Sequence, residues 1–401
     1  MPRNPRFDAF TVSLAYLAFI GIGMSAGLLG VAWTSMQTEF EVPLDAVGFM
    51  LTASTLGYLT ASFYSGMLAH RFGIGRLLTL GGALMVVGLL AAVLSPNFWL
   101  LVVLTLLTGF GSGTIDAGLN AYLAQHHSER AMNWLHAAFG VGVTVSPLIL
   151  AEVFKAEQSW RVGYGIVCGF IAVLTVVLLF TIPIWRRELP QSEGKPVHRR
   201  SVRDTLRMPL VWMGILMFFV YAGLEATPGQ WVFTLFTQSR GIAEVAASQW
   251  VSIYWGSFTI GRIFFGAIIT RVNTLFLLRA CMIGALVGAL LLWWNPSAEI
   301  GFIGLAVLGF AQAPLFPVLI SNTPRRVGVS SAADAIGFQI AGAGVGIAAL
   351  PALAGVLANN ISIEIIPIFV VVAIVLMIIL HELSIIQSVR TEQTEAVAAG
   401  D

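Results

Sequence analysis

The chain has 401 residues, 57% of them hydrophobic and 10% charged, with a mean hydropathy of +0.87. A soluble domain carries about 25% charged residues, so water is excluded as the solvent for most of this chain and lipid is the natural one. The formal net charge of +1 gives no footprint for nucleic acid, and the two cysteines, Cys168 and Cys281, lie in separate apolar runs, which excludes a disulfide framework.

A membrane helix needs about 20 mostly apolar residues. Turn residues and charges divide the chain into twelve such runs, at 8–37, 43–69, 74–95, 98–125, 131–152, 161–185, 209–238, 245–270, 273–294, 298–322, 331–358 and 361–385. The first, about 25 apolar residues after a basic start, is longer than the 7–15 residue core of a signal peptide and reads as a retained membrane helix. The links are short except 186–208, a polar and basic loop between the sixth and seventh runs. This gives an all-α membrane protein with one six-helix bundle over 1–185, a linker loop, a second bundle over 209–386, and a polar tail over 387–401 read as disordered.

Basic residues set the orientation. Arg71, Arg76, Arg271, Arg325, Arg326 and the long loop fall on one side of the twelve-span count, and only Lys155, Arg161 and Arg240 on the other. Both termini and the loop are therefore expected on the cytoplasmic face of an inner or plasma membrane.

The halves repeat. Gly66 and Arg71 after the second run answer Gly266 and Arg271 after the eighth, and Gly109-Phe110 answers Gly309-Phe310, both at an offset of 200. Gly140-Val141-Gly142 with Pro147 answers Gly344-Val345-Gly346 with Pro351 at an offset of 204. Parallel repeats of this kind place a transporter's substrate near the bilayer midplane.

The loop after the second run reads Gly66-Met67-Leu68-Ala69-His70-Arg71-Phe72-Gly73-Ile74-Gly75-Arg76. It resembles the G-x-L-x-D-R-x-G-x-R/K signature of the major facilitator superfamily, with His70 where that pattern has Asp. Three further stretches are similar to the fucose:proton symporter family. They are Asp116 and Asn120 in the fourth run, Asn133, Leu135, His136, Phe139, Gly140 and Gly142 in the fifth, and Tyr221, Gly223, Glu225 and Gly229 in the seventh, followed by Gln230-Trp231. The first run departs from that family. It carries Gly27, Gly30, Trp33 and Gln37 where the fucose permease has a second acid. The resemblance implies a twelve-helix secondary transporter of two pseudo-symmetric bundles, working by alternating access on a sugar with protons as the coupling ion.

The residues themselves point the same way. An ionised acid at the bilayer centre costs several kcal/mol, so a carboxyl there faces water, carries a proton or pairs with a cation. Asp116 shares a helical face with Gly109, Gly113 and Asn120. It reads either as a proton carrier beside a sugar site or as a structural acid, paired to an arginine or capping a helix break. Glu225 falls mid-run, with Tyr221 one turn before it and Pro228-Gly229 after it, where the helix is expected to break and free carbonyls for a ligand. It reads as a substrate or coupling residue. His136 could relay a proton with Asp116 or simply bond a backbone carbonyl. Hydroxyl or ring contacts to a sugar are assigned to Asn120, Asn133, Gln37, Gln230, Tyr221, Tyr254, Gln312 and Gln339, with Trp33 and Trp231 as stacking platforms. Arg71, Arg76 and Arg271 are topology and gate charges. Arg262, deep in the eighth run, is expected to pair with an acid or helix carbonyls at the cytoplasmic gate.

Gly23-Met24-Ser25-Ala26-Gly27 matches a hydrolase G-x-S-x-G pattern. That motif needs a strand-to-helix elbow, whereas this one lies inside a membrane helix, where small residues serve helix packing. No enzyme, cofactor or metal is expected. The reading is a monomeric proton-coupled importer of a monosaccharide or similar polyol. An uncoupled facilitator, an exporter of amphipathic compounds and a non-transporting sensor stand as alternatives.

Overall fold

In hydrocarbon every backbone N–H and C=O must find a partner within its own segment, so the apolar runs have one solution, the helix. The computed structural model describes residues 5–127, 129–185, 201–269 and 271–400. Among them, 12 helical spans are long and apolar enough to cross a membrane, one of which, Ala298–Ser321, is made of two helices. The helices are α1 (Pro5–Phe40), α2 (Val47–Phe72), α3 (Ile74–Leu94), α4 (Phe98–His126), α5 (Glu129–Lys155) and α6 (Trp160–Phe180), then a short α7 (Val202–Leu206). They continue with α8 (Pro209–Thr234), α9 (Glu244–Ile268), α10 (Thr274–Trp294), α11 (Ala298–Gln312), α12 (Leu315–Ser321), α13 (Thr323–Val327), α14 (Val329–Asn360) and α15 (Ile365–Gly400).

Local chemistry sets several ends. Asn97 caps α4 by accepting from the Leu100 N–H at 2.9 Å, and Asn273 caps α10 through Leu275 and Phe276 at 3.0 and 3.1 Å. Gly73 closes α2 at φ +80°, a backbone that only glycine adopts without strain, which explains its place in the loop motif.

Three features differ from the sequence reading. The tenth run is two helices, broken at Ala313-Pro314. Conversely, α8 is not interrupted at Pro228. One proline removes one donor, and the Thr227 hydroxyl donates to the Gly223 carbonyl at 2.6 Å beside it. The irregularity comes later, as a π-helical turn over Leu235–Ser239. Lastly, α15 continues as helix to Gly400, past the expected end at 386. Its extension contains Glu, Gln, Ala and Val with no proline or glycine before that point. Residues 186–200 of the linker lie outside the described residues.

By contact the chain forms two compact units. The first holds α1–α6 together with 229–259 and 355–363. The second holds 201–228, 260–354 and 364–400. The ends of α8, α9 and α14 thus join the first unit rather than staying within a bundle over 209–386. Glycines explain it. A Cβ on Gly30 of α1 would strike the Gly229 carbonyl and come within 2.9 Å of the Gln230 Cα. Gly355 of α14 lies under the Trp231 ring, and the Thr34 and Thr234 hydroxyls meet at 3.1 Å.

Within the first unit α2 packs on α4, α1 on α5, and α3 on α4 and α6; within the second α10 packs on α11 and α15. The repeat is visible in these contacts. A Cβ on Gly88 would lie 2.8 Å from the Thr108 nitrogen and 3.0 Å from the Leu104 carbonyl. On Gly288 it would lie 2.6 Å from the Leu308 nitrogen and 2.7 Å from the Gly304 carbonyl. These are the same crossing, 200 residues apart. In the first unit, too, one arginine ties three helices together. Arg161 of α6 donates to the Ala92, Val93 and Ser95 carbonyls at the end of α3, at 2.8, 2.9 and 3.0 Å. It also reaches Glu39 of α1 at 2.6 Å, while the Trp160 indole N–H donates to the same carboxylate at 2.7 Å.

Candidate functional site

The first unit carries Asp116 on α4. Its placement follows from the α2–α4 crossing. Gly109 abuts the Ser54 backbone and Gly57 abuts Leu106 and Phe110, while a Cβ on Gly113 would lie 3.0 Å from the Tyr58 Cα. The glycines on the Asp116 face therefore admit a neighbouring helix rather than a ligand. That close approach delivers Tyr58, whose hydroxyl donates to Asp116 Oδ2 at 2.5 Å. The Asn120 amide donates to Oδ1 at 3.0 Å and to the Asp116 carbonyl at 2.9 Å. Both partners are neutral, so the alternative of a pairing to arginine is not how this carboxyl is held. Tyr58 was absent from the candidates. The signal for it was the glycine face, which implies a helix within one residue's reach.

Glu225 belongs to the second unit, and its setting is different. Its Oε1 lies 3.8 Å from the Arg262 Nη2 of α9, with the two side chains 19% and 26% exposed. Arg262 does pair with an acid, as its depth in the run suggested, but the acid is Glu225 at mid-span of α8. The hydroxyl of Tyr221, fully buried one turn earlier, lies within hydrogen-bond reach of both Glu225 and, at 3.3 Å, the Gln312 carbonyl, and its single O–H serves one of them at a time.

Gln312 is the last residue of α11, at the break. Pro314 has no N–H, and the Ala313 N–H turns back to Phe310 at 3.4 Å in a tightened bond. The Gln312 side chain is fully buried, and neither its Oε1 nor its Nε2 has a hydrogen-bond partner. Each unmet buried group costs about 1–3 kcal/mol. Gly261, next to Arg262, fits against this break, where a Cβ would lie 2.7 Å from both the Ala313 Cβ and the Phe310 carbonyl. The backbone at the α11 break thus touches both α8, at Tyr221, and α9, at Gly261.

Other candidates fall elsewhere. Trp33 is fully buried, donates to the Leu44 carbonyl at 3.0 Å and packs on Phe98. Trp231 is fully buried over Gly355. Neither presents a ring face for stacking, because both fill helix crossings. Tyr254 is buried edge-on to Trp255 at 5.0 Å, and it is Trp255, half-buried over Gly229, that keeps some exposure. Gln230 is buried with its Nε2 unmet. Gln37 meets Gln238 at 3.4 Å, and Gln339 accepts from Thr323 at 2.9 Å. His136 packs edge-on to Phe19 of α1 at 5.8 Å. The side chains of Asn133 and His70 lie outside the described residues. Arg71, Arg76 and Arg271 are exposed around the α2–α3 and α9–α10 turns, consistent with topology charges. Cys168 and Cys281 are buried and unpaired.

A family profile described as Major Facilitator Superfamily matches residues 15–300 and 241–398. The chain is 24% identical over 376 residues to "Sodium-dependent glucose transporter 1" of Homo sapiens, covering 85% of this chain and 72% of that one. Among solved structures, a bacterial homolog to human lysosomal transporter Spinster, inward-facing and occupied, matches with a TM-score of 0.77 at 13% identity, covering 97% of this chain and 98% of that one. The transporter FucP in its outward conformation matches at 0.62 and 15% identity, over 93% of this chain and 98% of that one.

Proposed function

The chain belongs to the Major Facilitator Superfamily, and on that premise we propose that it is a secondary transporter that imports a monosaccharide or similar polyhydroxylated solute with protons, by alternating access of its two halves. The observation that carries the reading is the pair of contrasting acids. Asp116 is held by Tyr58 and Asn120, neither of which brings charge. To pass through a closed, dry state as a neutral group it must take up a proton. Glu225 has its counter-charge in Arg262 and can serve the substrate without one. The human relative's name points to a hexose as cargo. The asymmetry of the basic residues supports cytoplasmic termini in a cell membrane.

The proton then couples to the membrane potential, worth about 2.3 kcal/mol per charge per 100 mV. The test is uptake into proteoliposomes under an imposed pH gradient. Wild-type protein accumulates hexose above equilibrium, and Asp116→Asn does not. Accumulation by Asp116→Asn as strong as wild type overturns the assignment. Accumulation driven by a Na⁺ gradient alone replaces the proton with sodium, and exchange without accumulation under either gradient makes the protein a facilitator.

A further inference from the structure

We propose that the proton reaches Asp116 through side chains of α2, with the Tyr58 hydroxyl as the relay and the Ser62 hydroxyl as the outer end of the row. The inference rests on the coupling reading above and deepens it, by naming the route that loads the acid. Three observations support it, all inside the first unit.

The first is which carboxyl oxygen can take the proton. The Asn120 amide donates to Oδ1 at 3.0 Å, and the Tyr58 hydroxyl donates to Oδ2 at 2.5 Å. The amide nitrogen is only a donor, so a proton placed between it and Oδ1 would meet the amide hydrogen. A hydroxyl donates and accepts at once, so the bond between Tyr58 and Oδ2 can run in either direction. It also has the length of about 2.5–2.7 Å of an O–H···O⁻ bond, short enough for the proton to cross from one oxygen to the other.

The second is the other neighbour of the phenol. Ser62 stands one turn along α2, and its hydroxyl lies within hydrogen-bond reach of Tyr58. Ser62 then donates to Tyr58, and Tyr58 to Asp116. When a hydronium ion gives a proton to the Ser62 oxygen, the proton that Ser62 held passes to the Tyr58 oxygen. The proton that Tyr58 held passes to Oδ2. Each oxygen of the row gains one O–H bond, each donor loses one, the hydronium is left as water and the carboxylate becomes neutral. The row now points the other way, with Asp116 donating to Tyr58 and Tyr58 to Ser62. Ser62 supplies the acceptor that the reversed phenol needs.

The third is the mounting. A Cβ on Gly113 would lie 3.0 Å from the Tyr58 Cα, and Gly57, beside Tyr58, abuts the Leu106 and Phe110 backbone. These contacts hold the phenol in register with the carboxyl. Beyond Ser62, Ser65 follows on the same face of α2, toward the end that carries Arg71. Hydroxyls thus line the helix from its basic end to the acid.

The experiment measures D-glucose uptake driven by a pH gradient, and counterflow exchange, in the same proteoliposomes of full-length protein. Tyr58→Phe slows gradient-driven uptake about a hundredfold, the low end for loss of a proton-transferring side chain, and Ser62→Ala slows it about tenfold because water can stand in for the serine. Ser62→Ala keeps its counterflow and its melting temperature, and Ser62→Thr, which restores a hydroxyl, restores the rate. Deuterium oxide slows uptake by Ser62→Ala more than uptake by wild type, a difference that a packing defect does not produce. A gradient-driven rate of Ser62→Ala equal to wild type overturns the relay and leaves Asp116 as the carrier. So does an equal loss of uptake and counterflow in Ser62→Ala, which marks a packing role, or a Ser62→Thr rate no higher than that of Ser62→Ala. If wild type accumulates no glucose under a pH gradient, the coupling reading falls and takes the route with it.

Discussion

Asp116 and Glu225 both lie well inside membrane helices, and their surroundings differ in kind. Asp116 of α4 has a phenol and an amide as partners, while Glu225 of α8 has a guanidinium. A charge that brings its own counter-charge can cross into a closed state as it is. A charge held only by neutral donors cannot, and needs a proton to do so. The same residue class therefore stands in two electrostatic settings, and neighbours decide which.

The largest effect expected is the loss of coupling at Asp116. Asp116→Asn removes gradient-driven accumulation and its dependence on external pH but keeps counterflow exchange. Glu225→Gln weakens binding and exchange alike. Uptake and counterflow in the same vesicles separate the two. If both variants lose only accumulation, the acids are equivalent and the contrast is wrong. Next is Arg262→Ala. Stranding one member of a buried ion pair costs about 3–5 kcal/mol, and the low end applies here because the side chains keep 26% and 19% exposure. Thermal unfolding in detergent measures it, and adding Glu225→Gln to Arg262→Ala recovers most of the loss. Recovery is not expected from Asp116→Asn, whose carboxyl is held by Tyr58 and Asn120.

Tyr58→Phe follows, at about 1.5–3 kcal/mol for a hydrogen bond to a charged group, seen as a lower unfolding temperature and reduced proton-driven uptake. Gly113→Ala brings a Cβ to 3.0 Å from the Tyr58 Cα. It should impair uptake as Tyr58→Phe does, by moving the whole of α2 rather than by removing one hydroxyl. The smallest effect is expected of Trp33→Phe. It loses one hydrogen bond to the Leu44 carbonyl, about 0.5–1.5 kcal/mol, and leaves sugar affinity where it was. A tenfold loss of affinity would restore Trp33 as a stacking platform.

Much of the architecture was legible because lipid leaves the backbone so few choices. Span lengths, the repeat and the prominence of Asp116 and Glu225 all follow from where apolarity stops or is violated. Contacts between helices were legible only by implication. The glycine face of α4 signalled that something comes close, and the structure shows that it is α2 carrying Tyr58. Proline misled in α8 and was under-read in the tenth run. Pro228 stands alone beside a threonine that bonds the neighbouring carbonyl, whereas Pro314 is followed by Pro317 within one turn, and two missing donors break what one does not. Aromatic rings gave the weakest signal. A tryptophan fills a helix crossing as readily as it meets a sugar, and only burial separates Trp33 and Trp231 from Trp255.

The Arg161 clamp has a mechanical consequence. A helix end leaves carbonyls without partners, and here one guanidinium serves three of them on α3 while gripping a carboxylate on α1 from its seat on α6. Lysine, with a single ammonium head, has no fork to span those acceptors. The three helices are riveted together at that membrane face, so that displacing one of them means breaking the bonds of all three.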